Sequence, residues 1–277
     1  MSINLIATTT FGLEAVVKRE CQALGFENIK TSDGKVEFTG TEADIVKANM
    51  WLRCAGRVWV KMDTFKAVTF TELFDQTKAL PWADWIPEDG KFTVVGKSVK
   101  STLFSVSDCQ AIVKKAVVEK LKQTYHTDWF DETGASYTIQ VGILKDVVTL
   151  AIDTSGSGLH MRGYRANALD APLKETLASA MIQLSYWRKN RILLDPFCGS
   201  GTIPIEAAMI ARNIAPGIHR KFASEEWERI GKDLWKKARV EAYQAINYDV
   251  MPEIYGSDID PDAIELAKAN AEKAGVD

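Results

Sequence analysis

The 277-residue sequence has few of the residues that disulfide frameworks and metal sites require. It contains four cysteines and three histidines, and the cysteines form no C-x-x-C pair. We therefore expect no metal and no disulfide, and a reducing, cytoplasmic location. The chain also lacks an apolar run long enough to cross a membrane. Its first residues lack the basic and apolar pattern of a signal peptide.

Neither positive nor negative charge dominates the chain. The 34 basic and 37 acidic residues give a net charge of -3, so no global positive field indicates nucleic acid. Any contact with RNA must then depend on a local patch. Residues 97–122 hold six lysines against two acidic residues, and an ordinary solvated helix face is the alternative interpretation. From this window we select four candidate RNA contacts: Lys97, Lys100, Lys114 and Lys115.

The spacing of apolar residues predicts an α/β fold in three parts. Residues 1–65 follow the order strand, helix, strand, strand, helix, strand, which is that of a ferredoxin-like unit. Asp33-Gly34 predicts a hairpin turn, and Thr41 with Asp44 predicts a helix capping box.

Residues 66–158 predict a second small α/β unit. Ser107 is expected to cap its helix, and Lys145-Asp146 to join its last two strands. Residues 154–158 are rich in glycine and serine, which predicts a linker or a tight loop. The third region, 159–277, begins with a helix expected from about Pro172 to Trp187.

A buried strand, a glycine turn and a helix follow one another over residues 193–206, an arrangement that presents backbone N–H groups to a ligand. A phosphate-binding P-loop would need a lysine that is missing here. A nicotinamide fingerprint would need glycine where the chain has Pro204, and proline removes a donor. S-adenosylmethionine has no phosphate but carries a cationic ammonium and sulfonium. We therefore predict that it is held by Asp195, Phe197, Cys198, Gly199, Ser200, Gly201 and Thr202.

A second acidic strand end follows at Ile254–Gly256. Asp258 is predicted to accept from the ribose hydroxyls, and Asp260 is a further candidate, although it is better placed to cap the helix at Pro261. Asp195 and Asp258 lie 63 positions apart, whereas an uninterrupted unit separates such residues by about 20. Residues 213–251 are thus an insertion, either a helical cap or a lid that faces the substrate.

A cysteine nucleophile is not expected at Cys198, because a small residue is needed where the strand meets the helix. No His or Asp base is placed to activate its thiol. The three histidines, His126, His160 and His219, show neither ligand nor triad spacing.

Four segments resemble the THUMP-containing RNA methyltransferases: Leu159–Arg165, Ala171–Ala178, Leu194–Thr202 and Ala211–Gly217. Within this family the chain resembles the bacterial enzymes that methylate the exocyclic 2-amino group of a guanosine in 23S rRNA, and related tRNA enzymes share the layout. The resemblance implies a ferredoxin-like domain (1–65), an RNA-binding THUMP domain (66–158) and part of a class I, Rossmann-like methyltransferase domain (159–277). It also implies that Arg162–Arg165 and Pro172–Glu175 pack beneath the cofactor.

One departure from the family concerns catalysis. The Asn/Asp-Pro-Pro-Tyr/Phe motif that holds the target amine is absent before Asp277, so the catalytic residues are unknown. We expect the native chain to continue by roughly 100 residues, and the 277 residues alone to be inactive and to expose apolar surface around Ile192–Leu194. A tRNA methyltransferase, a non-catalytic RNA-binding module, and a methyltransferase acting on DNA or protein remain as alternatives.

Overall fold

The computed structural model describes residues 2–165 and 173–277, and its first half is built on one sheet. The strands are mostly antiparallel, and their order across the sheet is β2-β3-β1-β4-β7-β6-β5. The elements of this half are β1 (Ile3–Thr8), α1 (Glu14–Ala23), β2 (Glu27–Ser32), β3 (Lys35–Gly40), α2 (Glu42–Trp51), β4 (Arg57–Lys66), α3 (Phe70–Lys78), β5 (Lys91–Val99), α4 (Val106–Tyr125), β6 (Ser136–Leu144) and β7 (Val147–Asp153).

The described residues of the second half form a two-stranded parallel sheet and four α-helices. Its elements are α5 (Glu175–Leu184), β8 (Leu193–Asp195), α6 (Thr202–Ala211), α7 (Lys232–Gln244), β9 (Ile254–Gly256) and α8 (Pro261–Ala274). Ala171 and Pro172, and with them the predicted start of the helix near Pro172, lie outside the described residues. The helix itself is shorter than predicted, because it ends at Leu184.

The predicted ferredoxin-like order is confirmed in β1 to β4, which pair in the sequence β2-β3-β1-β4. Strand β4 then pairs with β7, so the two predicted N-terminal units share a continuous sheet. The hairpin turn at Asp33-Gly34 and the capping box at Thr41 and Asp44 are also present. These signals succeed because each depends on neighbours only a few residues away.

Two local predictions need correction. Ser105, not Ser107, caps α4, since its hydroxyl accepts the Asp108 N–H at 3.4 Å and its backbone is extended. Ser107 already lies inside the first turn. Residues 154–158 form the tight loop and not a linker, because Thr154 and Ser155 are fully buried. The Thr154 hydroxyl donates to the Val58 carbonyl at 2.7 Å.

The insertion, residues 213–251, packs against the N-terminal half. Trp227 is buried and stacks on Tyr137 of β6, with ring centroids 4.6 Å apart. The Arg229 guanidinium donates to the Glu42 carboxylate of α2 at 3.0 Å. Arg220 donates to the Gly158 carbonyl at 2.7 Å. These contacts favour the helical-cap interpretation over the substrate-facing lid.

Within the described ranges, no helix is both long and apolar enough to cross a membrane. The four cysteines are buried as free thiols.

Candidate cofactor site

Strands β8 and β9 end side by side, and backbone hydrogen bonds join the loops that follow them. Asp195 is the register partner of Gly256. The Ser257 N–H donates to the Asp195 carbonyl at 2.9 Å, and the Cys198 N–H donates to the Ser257 carbonyl at 2.9 Å. The two loops that carry the predicted cofactor residues therefore form one edge.

The two glycines of the turn have different requirements. Gly199 (φ +52°) and Gly201 (φ +80°) both adopt left-handed backbone that disfavours other residues. A Cβ on Gly199 would meet nothing within 4 Å, so this position is open to a ligand. A Cβ on Gly201 would come within 3.0 Å of the Ala267 Cβ on α8. Gly201 thus serves helix packing, while Gly199 borders open space, and its contact with a cofactor stays a prediction.

Two carboxylates mark this edge, and both are held by backbone donors. Asp195 accepts the Phe197 N–H at 3.2 Å. Asp258 accepts the N–H groups of Gly199 at 2.9 Å and Asp260 at 3.1 Å. The bonds from Asp260 and Gly199 lower the pKa of Asp258, so it is ionised at neutral pH. In the described part of the chain, neither carboxylate has an ion-pair partner, which leaves negative charge for a cationic ligand.

Asp260 caps α8, as the sequence predicted. Its side chain accepts the Asp262 N–H at 2.9 Å, and Pro261 occupies the first turn. This bond occupies one of its carboxylate oxygens, so a contact between Asp260 and the cofactor stays a prediction.

Cys198 is buried against the strand ends. Burial, and then the carboxylates of Asp195 and Asp258, raise the pKa of its thiol. A neutral, enclosed thiol is a poor nucleophile. A Cβ on Gly256 would come within 3.1 Å of its Sγ, which shows how closely the residue packs.

Two residues at this edge, Asn270 and Ile259, were not predicted from the sequence. Asn270 of α8 is buried, and its amide donates to the Ser200 carbonyl at 3.0 Å, which fixes the turn from below. The sequence feature that could have identified Asn270 is its position three residues after Ala267, which places a polar side chain on the apolar side of an amphipathic helix. Ile259 is fully exposed beside Asp258, and Phe197, which the sequence did predict, is 85% exposed. Nothing in the apolar spacing distinguishes Ile259 from a core residue.

A buried polar network lies beneath the turn and centres on Glu206 of α6. Its carboxylate accepts from Arg162 at 3.3 and 3.4 Å, from the Tyr164 hydroxyl at 3.2 Å, and from Ser179 of α5. Burial would lower the pKa of Arg162, but Glu206 outweighs this effect and the pKa is raised. Arg162 also donates to the Arg53 carbonyl at 2.5 Å. The helix that follows the cofactor turn is thereby joined to the N-terminal half.

Arg165 connects the residues beneath the glycine turn to the turn itself. Its guanidinium donates to the Glu175 carboxylate at 3.0 Å and to the Thr202 hydroxyl at 3.0 Å. Thr202 is the first residue of α6. Arg165 therefore fixes the point at which the glycine turn becomes a helix.

The four candidate RNA-binding lysines do not share one surface. Lys114 lies on α4 with its Nζ 5.9 Å from the Phe92 ring, on the face of β5 that α4 covers. Lys115 contacts the Phe74 ring at 5.9 Å. Lys97 is an odd number of positions from Phe92, so it points to the opposite face. Lys100 follows β5 in the next loop. A single basic patch of these four lysines is thus not formed.

Across the described ranges, no three histidine, cysteine, aspartate or glutamate side chains are grouped in a way that could hold a metal.

Models of three protein families match the chain in order. The RlmL ferredoxin-like domain matches residues 4–59, the THUMP domain matches residues 67–153, and the "RMKL-like, methyltransferase domain" matches residues 162–277. The predicted limits at residues 65 and 158 stay predictions.

Two proteins of known name are similar in sequence to the chain over nearly its whole length. YpsC of Bacillus subtilis, a proposed RNA methyltransferase, is 56% identical over 99% of this chain and 71% of its own length. Ribosomal RNA large subunit methyltransferase K/L of Psychromonas ingrahamii is 35% identical over 99% of this chain, which spans 37% of that protein.

Both solved structures superpose closely. A Listeria monocytogenes protein, named as a predicted N6-adenine-specific DNA methylase, has a TM-score of 0.96 and 53% identity over 100% of this chain and 73% of its own. SMU.472, a proposed methyltransferase in complex with SAH, has a TM-score of 0.94 and 42% identity over 99% of this chain and 73% of its own.

Proposed function

Because the chain belongs to the S-adenosylmethionine-dependent, THUMP-containing RNA methyltransferases of the K/L type, we propose that its substrate is 23S ribosomal RNA. The proposed reaction moves a methyl group to the exocyclic 2-amino group of a guanosine. In this proposal residues 159–277 hold the cofactor, and the N-terminal half binds RNA. The target guanine has to be unpaired or flipped out of its helix to reach the cofactor edge.

The observation that supports this proposal most directly is the edge formed by β8 and β9. Its carboxylates have backbone partners but no ion pairs in the described residues, and Gly199 leaves open space beside them. Asp195 would accept from the cofactor's ammonium and Asp258 from its ribose. When bound, the cofactor supplies the methyl group.

Binding of S-adenosylmethionine to Asp195→Ala tests the cofactor assignment. Loss of a charge-assisted hydrogen bond should weaken binding by about 1.5–3 kcal/mol, measured by isothermal titration calorimetry. Glu253→Gln is the matched control, because it also removes one negative charge but lies at the amino end of β9. Equal affinity in Asp195→Ala and the unmodified chain would contradict the assignment.

A DNA substrate is the second candidate, since the similar Listeria protein is named as a DNA methylase. With the native protein, labelled methyl transfer to ribosomal RNA, tRNA and DNA, followed by nucleoside analysis, separates the candidates. The proposal expects N2-methylguanosine from ribosomal RNA, whereas N6-methyl-2′-deoxyadenosine from DNA would contradict it. Inactivity of the 277 residues on their own stays a prediction, and robust turnover would overturn it.

A further inference from the structure

One end of the seven-stranded sheet presents an apolar row to solvent. Strand register places Lys66, Val147, Leu144 and Val99 next to one another on β4, β7, β6 and β5. Val147, Leu144 and Val99 are 42%, 51% and 45% exposed. Alternation along β7 turns Val147 away from Val148, which is fully buried on the face of the sheet that α4 covers. The row is therefore on the open face of the sheet.

The next row on this open face contains a gap. Lys97, Gly142, Thr149 and Thr64 are register neighbours on β5, β6, β7 and β4. A Cβ on Gly142 would meet only the Thr149 carbonyl, at 4.0 Å. The missing side chain leaves a shallow depression above Leu144, between Lys97 and Thr149.

Further basic and aromatic groups lie at the same end. Lys100 and Lys145 are exposed, in the loop after β5 and in the turn between β6 and β7. Phe104, on the loop between β5 and α4, is 81% exposed. The Thr102 N–H donates to the Asp146 carboxylate at 2.6 Å, so the loop is fastened to the turn. We name Lys66, Lys97, Val99, Lys100, Phe104, Leu144, Lys145 and Val147 the sheet-end platform.

The charge of the sheet-end platform is unusual for this protein. It holds four lysines. Two acidic residues lie next to it: Asp146, which is already hydrogen-bonded to Thr102, and Glu72 of α3, which interacts electrostatically with Lys66 and accepts the Val68 and Thr69 N–H groups. The whole chain has a net charge of -3. A local positive excess beside exposed apolar and aromatic side chains is the combination that binds single-stranded nucleic acid, with phosphates on lysines and bases on the apolar surface. In duplex RNA the bases are stacked inside and cannot reach such a surface.

We infer that the sheet-end platform docks a single-stranded segment of the RNA substrate, with a base on Phe104 and phosphates on the surrounding lysines. This inference rests on the proposed function, and it moves the RNA contact away from Lys114 and Lys115. Those two lysines lie on α4, which covers the opposite face of the sheet.

Charge reversal on the two faces tests the inference. The platform variant is K66E/K97E/K100E/K145E, and the matched control K114E/K115E/K120E/K122E makes the same change of charge on α4. The probe is a fluorescein-labelled single-stranded RNA of about 20 nucleotides, titrated by fluorescence anisotropy at several salt concentrations. The platform variant should reduce the slope of log affinity against log salt by up to about 3, since each lost phosphate contact on a single strand removes about 0.7. The α4 control should have the same slope as the unmodified chain.

Phe104→Ala separates stacking from charge. It leaves the lysines in place. It should weaken RNA binding by at least about fivefold, because stacking of one base on an aromatic side chain typically strengthens binding by that factor or more. The salt slope should not change. Circular dichroism melting confirms that each variant is folded.

Three results would overturn the inference. They are a loss of RNA binding in the α4 control but not in the platform variant, no RNA binding by the unmodified chain, and a dimer in sedimentation that Leu144→Lys dissociates. The last result would assign the platform to a second copy of the chain. Failure of the proposed function is distinguishable, since it would be seen as absent S-adenosylmethionine binding in the calorimetry while RNA binding still depends on the platform.

Discussion

The two halves of the molecule reach stability in different ways. In the first half seven strands bury a continuous apolar core, with residues such as Leu5, Val58 and Ile152 fully enclosed. In the second half the short strands β8 and β9 expose Leu194 at 65% and Tyr255 at 56%. Exposed apolar surface around Ile192–Leu194 was predicted from the sequence and is confirmed. The second half depends instead on helices α5 and α6, and on the Glu206 network that binds them to the first half.

The largest effect that this comparison predicts is at Glu206. Glu206→Gln should lower the free energy of unfolding by about 3–5 kcal/mol, because it leaves the buried Arg162 without its anionic partner. Urea denaturation measures the change. The control is Lys61→Met, which breaks the partly exposed pair with Glu37 and should change stability by at most about 1 kcal/mol. Similar losses of unfolding free energy in the two variants would mean that the second half does not depend on the Glu206 network for its stability.

A smaller effect is expected at Asn270. Asn270→Ala removes the amide that donates to the Ser200 carbonyl, and an unsatisfied buried carbonyl typically destabilises a protein by about 1–3 kcal/mol. S-adenosylmethionine affinity should fall with stability, because the loss is within the cofactor turn. Asn247→Ala is a comparison outside the turn that should leave affinity unchanged. If the Asn270→Ala chain kept both its stability and its S-adenosylmethionine affinity, the hydrogen bond from Asn270 to Ser200 would not stabilise the cofactor turn.

The smallest predicted effect is a pH dependence at the cofactor edge. Backbone donors lower the pKa of Asp258 in the folded protein, so its contribution is present at neutral pH and is lost as pH falls through that lowered pKa. The part of the cofactor affinity that depends on Asp258, measured as the difference between the unmodified chain and Asp258→Asn, should therefore be constant from neutral pH through the ordinary carboxyl range and should decline only below it. A decline centred near pH 6 would indicate a different titrating group.

The two halves also differ in how far the sequence could predict them. Alternating apolar residues, the Asp33-Gly34 turn and the Thr41 capping box are local signals, and they predict the ferredoxin-like strand order. The Asp195–Thr202 string similarly predicts a strand, glycine turn and helix. Asp260 as the cap of α8 follows from its position before Pro261. In each case the determining interaction spans only a few residues.

Long-range packing was not predictable in this way. No spacing rule places Arg162 against both Glu206 and the Arg53 carbonyl, which are far apart in the chain. The insertion looks equally suited to a lid or a cap until Trp227 is seen on Tyr137 and Arg229 on Glu42. The four candidate lysines lie on different surfaces for a related reason, because residues close in sequence on β5 and α4 point to opposite faces of the sheet, and their contact with RNA stays a prediction.

A crystal structure of the chain with S-adenosylhomocysteine is the most direct test of the central claim, that the cofactor binds where β8 and β9 end. The account predicts the ligand's amino group within hydrogen-bond distance of the Asp195 carboxylate, its ribose hydroxyls on Asp258, and its chain beside Gly199. Density for the ligand in the apolar crevice between α6 and α8, lined by Pro204, Ala208 and Ile264, would contradict it.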